Sequence, residues 1–370
     1  MSQSDAPARW QAIWADRGWR ARLLWPLSLL YGALGGMRRR RFIRGTSVVV
    51  RMPVPVIVVG NVVVGGAGKT PTVLALLSHL KSAGWQPGVV SRGHGRNGQG
   101  VLELRPDTPA AESGDEPALI RLRAGVPVFV GRQRAEAAQA LLAAHPEVNV
   151  LVCDDGLQHL ALGRDIGIAV FDDRGPGNGW LLPAGLLREP WPPAAGNPFA
   201  PQLVLQQHRA GSDLSHRPPL ALPVGAQAFG ASRRLVDLAI GPAGRSCPLT
   251  ALQGTDFIAV AGIARPEVFF AMLRERGLCP AHTVALPDHA DNSAFDVLRR
   301  SPAATVVCTE KDAVKLFAIV EGWPAAERPT VWAVPLELQI EPGFFVHVDR
   351  LLEACAPGAR LSSTDGHQTA

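Results

Sequence analysis

From Gly45 onward the chain alternates short, unbroken apolar runs with longer stretches rich in Ala and Leu. The runs at 56–59, 89–91, 148–153 and 166–171 are β-branched and show no polar alternation, as expected of strands covered on both faces of a parallel sheet. Helices are predicted between them at 72–83 and 133–144, which makes residues 46–215 a core domain of βαβ units. Proline and glycine crowd residues 176–223, predicting an extended, loop-rich passage that also carries the connection between lobes. A second α/β pattern follows, with strands at 256–261, 282–286, 305–309 and 330–334 and a helix at 266–276, so a second, smaller domain is predicted over 216–355. Residues 356–370 are polar and are predicted to form a disordered tail.

Residues 1–45 follow a different pattern. The stretch 23–37, LLWPLSLLYGALGGM, is mostly apolar but short of the roughly 20 residues that cross a bilayer. Four of the nine tryptophans (Trp10, Trp14, Trp19 and Trp25) sit in or before it, and arginines flank it on both sides, ending in the run Arg38, Arg39, Arg40, Arg41. That composition predicts a helix lying on a membrane surface, with guanidinium groups at anionic headgroups. A soluble helix kinked at Pro26 and packed on its own domain is the plain alternative. A secretory signal is disfavoured, because the arginine block follows directly and no small-residue cleavage site intervenes.

A length of 370 residues fits two or three domains at about 150 residues each, and 47% apolar content excludes a disordered or fibrous chain. The net charge of +5 is too small to announce a nucleic-acid binder. It is concentrated at one end: the first fifty residues carry about +7 and the remainder about −2. The five cysteines (Cys153, Cys247, Cys279, Cys308 and Cys355) are scattered and show no metal-ligand or disulfide spacing, which predicts reduced thiols in a cytosolic compartment.

The run at 56–59 feeds GNVVVGGAGKTPT, and a predicted helix follows, which is the context a phosphate-binding loop requires. Gly65, Gly66, Ala67 and Gly68 would let backbone N–H groups wrap the phosphates, Lys69 would bridge the terminal phosphates, and the Thr70 hydroxyl would ligate Mg²⁺. Val63 occupies the position where the motif usually has its first glycine. The chain has only four lysines, so one placed directly after Gly68 is informative. The run at 148–153 delivers Asp154 and Asp155 to a strand end, where one carboxylate could hold the metal and the other position a water or substrate group. These features alone fit an ATPase, a GTPase, a kinase or a membrane-associated nucleotide switch.

Further motifs narrow the choice. GNVVVGGAGKTPT, SRGHGR at 91–96, GDEP at 114–117, DDGLQH at 154–159, LLPAGLLREP at 181–190, LPDHAD at 286–291 and TEKDAVK at 309–315 stand in an order that resembles the tetraacyldisaccharide 4′-kinase family. The resemblance runs from about residue 10 to residue 350. It implies a P-loop NTPase-like parallel-sheet core, a second, smaller α/β domain and an N-terminal membrane-associated helix. It also implies ATP and Mg²⁺ as cofactors, and transfer of the γ-phosphate to the 4′-hydroxyl of a tetraacyldisaccharide 1-phosphate, a lipid A precursor. The site of action would be the cytoplasmic face of the bacterial inner membrane, at a surface of anionic lipids, with neither nucleic acid nor an obligate protein partner.

By motif position Asp115 is similar to the family's catalytic aspartate and His289 to its histidine partner. If Asp115 lay in the first lobe and His289 in the second, lobe closure would have to assemble the pair. Arg92 and Arg188 are candidates for holding nucleotide phosphates or the 1-phosphate of the acceptor, with a salt bridge or solvated loop arginine as the alternative. His94 departs from the tyrosine common at its position in the family. Lys311 and Asp312 of TEKD resemble a purine-reading loop, but Thr309 and Glu310 precede them, so guanine selection does not follow; the segment is a candidate nucleotide-adjacent loop, with an ordinary turn favoured by Asp and Thr as the alternative.

Overall fold

In the computed structural model, residues 6–66, 68–96, 98–209, 220–300 and 305–355 are described. Those within Met1–Arg92, Gln133–Ser232 and Ile340–Ala370 form one compact unit, and those within Gly93–Arg132 and Arg233–Gln339 form a second. The division differs from the expected boundaries at 46–215 and 216–355. Residues 93–132 contain the helix Asp115–Ala124, which packs on the helix Glu310–Glu321 of the second unit. Local periodicity marks a helix but carries no record of its distant partner. The expected tail at 356–370 and the loop residue Ala67 lie outside the described residues.

The first unit is built on five parallel strands in the order Leu203–Arg209, Ile166–Phe171, Val56–Gly60, Val150–Asp154, Pro87–Ser91. Strands Val56–Gly60, Val150–Asp154 and Ile166–Phe171 are buried at every position, which explains their unbroken apolar sequence. Val59 stands abreast of Asp154, so the loop after Val56–Gly60 and the carboxylates after Val150–Asp154 emerge at the same edge of the sheet. Helices Lys69–Ser82 and Arg134–Ala144 cover the faces. The described residues of the passage at 176–223 are largely turns and bends, and they also include the strand Leu203–Arg209. Pro198 and Pro201 end just before it, so the proline-rich composition of the passage masks a strand that needs few residues.

The helix Trp19–Ile43 is docked through polar contacts within the same unit. The Ser28 hydroxyl donates to Leu181 O at 2.8 Å, Tyr31 Oη donates to Arg188 O at 2.9 Å, and Arg39 pairs with Glu189. Its apolar residues largely face out: Trp19 and Leu23 are 72% and 73% exposed, and Trp25, Leu27, Leu29, Leu30, Leu34 and Met37 are exposed with them. Among the described residues no helix is long and apolar enough to cross a membrane.

The second unit holds a six-stranded sheet in the order Ser246–Pro248, Leu238–Ile240, Thr330–Val334, Thr305–Thr309, Ile258–Ala261, His282–Ala285; its last four strands are parallel. Alternate residues feed two cores. Phe257, Ala259 and Ala261 pack against Phe269, Phe270 and Leu273 on one face, while Ile258 and Val260 pack against Phe295, Leu316 and Val320 on the other. Buried Cys153 and Cys308 behave as small hydrophobes, and burial pushes the Cys153 thiol up to about 11.

Candidate active site

The glycine-rich loop before the helix Lys69–Ser82 is shaped by its neighbours rather than by glycine content alone. Val63 is fully buried and bridged to Leu187, and Val64 N–H donates to Leu186 O at 2.9 Å, so the segment after Leu181 pins the loop where the usual leading glycine is missing. Gly68 caps the helix Lys69–Ser82 at φ 77°, and a Cβ there would collide with the Gln207 side chain. Gln207 Nε2 donates to Gly68 O at 2.8 Å and to Thr72 Oγ1 at 2.7 Å, which fixes the first turn with its N–H groups directed outward. Beside the loop, Arg174 lies 3.2 Å from where a Cβ at Gly65 would be, and its Nε donates to both oxygens of the buried Asp172 carboxylate.

Lys69 is 8% exposed, and its Nζ lies 3.7 Å from Asp155 Oδ1. Arg188 Nη1 reaches the two oxygens of the same carboxylate at 3.3 and 3.4 Å. Burial by itself would raise the Asp155 carboxyl, but Lys69, Arg188 and Arg134 outweigh it and hold the group below the usual carboxylate range. Asp154, buried at the strand end, accepts from Ser91 Oγ at 3.2 Å. Thr70 is half-buried one residue into the helix, and Arg92 is exposed just past the strand Pro87–Ser91. Nearby, Arg134 N–H donates to His159 Nε2 at 3.3 Å; burial and the cations Arg134, Arg38, Arg164 and Arg92 lower that imidazole to about 4. Among the described residues no group of three or more His, Cys, Asp or Glu is arranged to hold a metal.

The second unit contains a separate constellation. Asp115 opens the helix Asp115–Ala124, whose cap Gly114 stands at φ 88°; a Cβ there would press to 2.8 Å from His94 O. The Asp115 carboxylate meets His289 Nδ1 at 3.2 Å and Lys315 Nζ at 2.8 Å. Asp115 and His289 therefore lie within one unit, and the expectation of a pair split between lobes and assembled by their closure is corrected: the segment carrying Asp115 folds with the later part of the chain. Burial would raise the Asp115 carboxyl, but hydrogen bonds from His289 and Lys315, with the charges of Lys315 and Lys311, lower it. The His94 ring stands edge-on to the His289 ring at 5.2 Å between centroids. Asp115, His289, Lys315 and His94 share the wall of a cavity of about 830 Å³, which continues along Leu104, Leu122 and Phe317.

The TEKD segment is committed to structure. Thr309 caps the helix Glu310–Glu321 by accepting from Asp312 N–H, and its hydroxyl donates to Asp312 Oδ2 at 2.6 Å. The buried Asp312 carboxylate also accepts from Gly262 N–H at 3.1 and 3.0 Å. Lys311 pairs with Asp288 at 2.6 Å.

The family profile described as tetraacyldisaccharide-1-P 4'-kinase matches residues 20–353. This chain belongs to that family. A tetraacyldisaccharide 4'-kinase of Polaromonas naphthalenivorans is 52% identical over 360 residues, covering 96% of this chain and 97% of that protein. One from Acidovorax sp. strain JS42 is 52% identical over 366 residues, covering 98% of each. Among solved structures, LpxK from Aquifex aeolicus in complex with ATP matches with a TM-score of 0.71 at 27% identity, over 90% of this chain and 99% of that one.

The family match spans every motif that the sequence singled out, yet Gln207 and Arg174 outside those motifs, and Lys315 within TEKDAVK, had no assigned part. Gln207 and Arg174 carry no local signal, since Gln207 bonds a glycine, and Arg174 lies beside one, more than a hundred residues away. Lys315 did carry one. In a chain with four lysines, the rarity that marked Lys69 applied equally to a lysine in TEKDAVK.

Proposed function

We propose that this chain transfers the γ-phosphate of ATP to the 4′-hydroxyl of a tetraacyldisaccharide 1-phosphate. The observation that carries the reading is the 3.2 Å contact between Asp115 and His289 in the wall of a sugar-sized cavity, because a nucleotide switch would have no use for an acceptor-orienting pair. A carboxylate on Nδ1 fixes the imidazole tautomer and leaves Nε2 to take a proton from the attacking hydroxyl. Lys69 and the helix N-terminus after Gly68 would neutralise the β- and γ-phosphates. In the structure Arg188 and Lys69 share Asp155, so bound phosphates would compete with that carboxylate for both cations.

Mg²⁺ is held by hard oxygen donors, commonly one or two carboxylates together with substrate phosphates. Thr70 and Asp154 provide such donors at the loop and the adjoining strand end, which suits a metal that arrives with the nucleotide. When bound, the ion would neutralise charge developing on the transferring phosphoryl group. The exposed tryptophans and leucines of the helix Trp19–Ile43, beside Arg38, Arg40 and Arg41, support an interfacial position on an anionic membrane, where an acylated acceptor resides. The cytoplasmic face of a bacterial inner membrane supplies both the surface and the ATP.

The test is incubation with γ-labelled ATP, Mg²⁺ and the tetraacyldisaccharide 1-phosphate in mixed micelles. Label is expected on the lipid with the wild type, and a loss of at least a hundredfold with Asp115→Ala and with Lys69→Ala. Asp115→Ala should keep its ATP affinity. ATP hydrolysis without labelled lipid would overturn the assigned acceptor.

A further inference from the structure

Lys315 is engaged in a way that none of the roles above requires. Its Nζ lies 2.8 Å from Asp115 Oδ1 and donates to Oδ2 at 2.9 Å and to Ala290 O at 3.1 Å, so all three ammonium hydrogens have acceptors. The side chain is only 17% exposed and Asp115 only 7%. An ammonium held by three acceptors in a partly buried site is not poised to swing onto a phosphate; it is a fixture of the carboxylate. His289 Nδ1 contacts the same Oδ2 that Lys315 holds.

Resting on the kinase reading above, we infer that Lys315 is a positioning residue of phosphoryl transfer, clamping the Asp115 carboxylate in the orientation that leaves His289 Nε2 as the proton acceptor. In that step the acceptor oxygen bonds to the γ-phosphorus and the bond from that phosphorus to the β,γ-bridging oxygen breaks. ADP leaves with the electron pair, and the hydroxyl proton passes to Nε2 for later release to water. A second lysine repeats the arrangement on the other side of the ring. Asp288 Oδ1, 3.9 Å from His289 Nε2, is held by Lys311. The other charged or titratable groups around the pair include Glu116, Asp312 and the His94 ring, while Arg105, Asp107, Arg121 and Asp291 line the same cavity. With those unchanged, removing Lys315 takes away one of the cations that lower the Asp115 carboxyl, which then holds its proton to higher pH.

The experiment compares kcat and KM of wild type, Lys315→Met and Lys315→Arg across pH in the mixed-micelle assay, with folding checked by urea midpoint. Lys315→Gln replaces the Met variant if that chain does not fold. Expected for the neutral variant are a ten- to hundredfold lower kcat, an unchanged KM for ATP, and an acidic limb of kcat/KM moved up by about one pH unit. Lys315→Arg should recover the limb and part of kcat. A folded neutral variant whose acidic limb coincides with that of the wild type overturns the inference and leaves the kinase reading intact. Wild type that labels no lipid overturns the kinase reading itself, and this role with it.

Discussion

Among the described residues three non-glycine positions have positive φ, and two of them are Asp155 at 48° and His289 at 60°. That region costs an L residue roughly 1 kcal/mol or more, so the fold holds both side chains against a backbone preference. His289→Gly and His289→Ala both remove the imidazole, and both should lose turnover; in urea, the Gly variant should be the more stable by about 1 kcal/mol because only it relieves the strain. His159 supplies a pH test. Its imidazole titrates near 4 in the fold against 6.5 in the unfolded chain, so between those values the unfolded state binds the extra proton. Its contribution is complete above pH 6.5 and is lost as pH falls toward 4. Urea midpoints measured from pH 7 to pH 4 should decline, and His159→Asn should flatten the decline.

The first turn of the helix Lys69–Ser82 depends on one glycine and one glutamine. Gly68→Ala both strains φ and meets Gln207, so ATP affinity should fall at least tenfold. Adding Gln207→Ala removes the collision and leaves the strain, and calorimetry should show partial recovery, the mark of a coupled pair. In the other unit Thr309→Ala should cost about 1 kcal/mol of stability through lost capping, with ATP affinity unchanged. The contrast between these two turns explains what was legible in the sequence. The strand–loop–helix context around Gly68, Lys69 and Thr70 is contiguous and has fixed backbone requirements, so it could be read directly, as could strands whose burial leaves an unbroken apolar run. TEKD has the same local grammar as a cap, and only the engagement of Thr309, Lys311 and Asp312 within the fold shows that its groups are spent. In strand Leu203–Arg209 the buried position 207 is polar, and its glutamine serves Gly68 and Thr72. Asp115 and Lys315, 200 residues apart, meet through helix packing that no local pattern encodes.

At the scale of the whole molecule, the charge asymmetry of the sequence becomes an asymmetry of surface. Exposed Arg38, Arg40 and Arg41 follow the exposed apolar residues of the helix Trp19–Ile43. Converting these three arginines to glutamine should weaken binding to vesicles containing anionic phospholipid by about a hundredfold at low salt, at roughly 1 kcal/mol per charge. Wild-type binding should itself weaken as salt is raised, measured by vesicle sedimentation. The nested order of the two units also governs how the chain is made. The second unit ends at Gln339, whereas the first still lacks the helix Pro342–Cys355, whose Phe344, Val348 and Leu352 are buried. On the ribosome the part bearing Asp115, His289 and Lys315 is therefore the earlier to have all its residues, although its synthesis begins later. A premature stop anywhere before residue 342 removes Phe344, Val348 and Leu352 from the core of the unit that carries Lys69 and Thr70, so shortened chains are expected to lose ATP binding together with transfer to the acceptor.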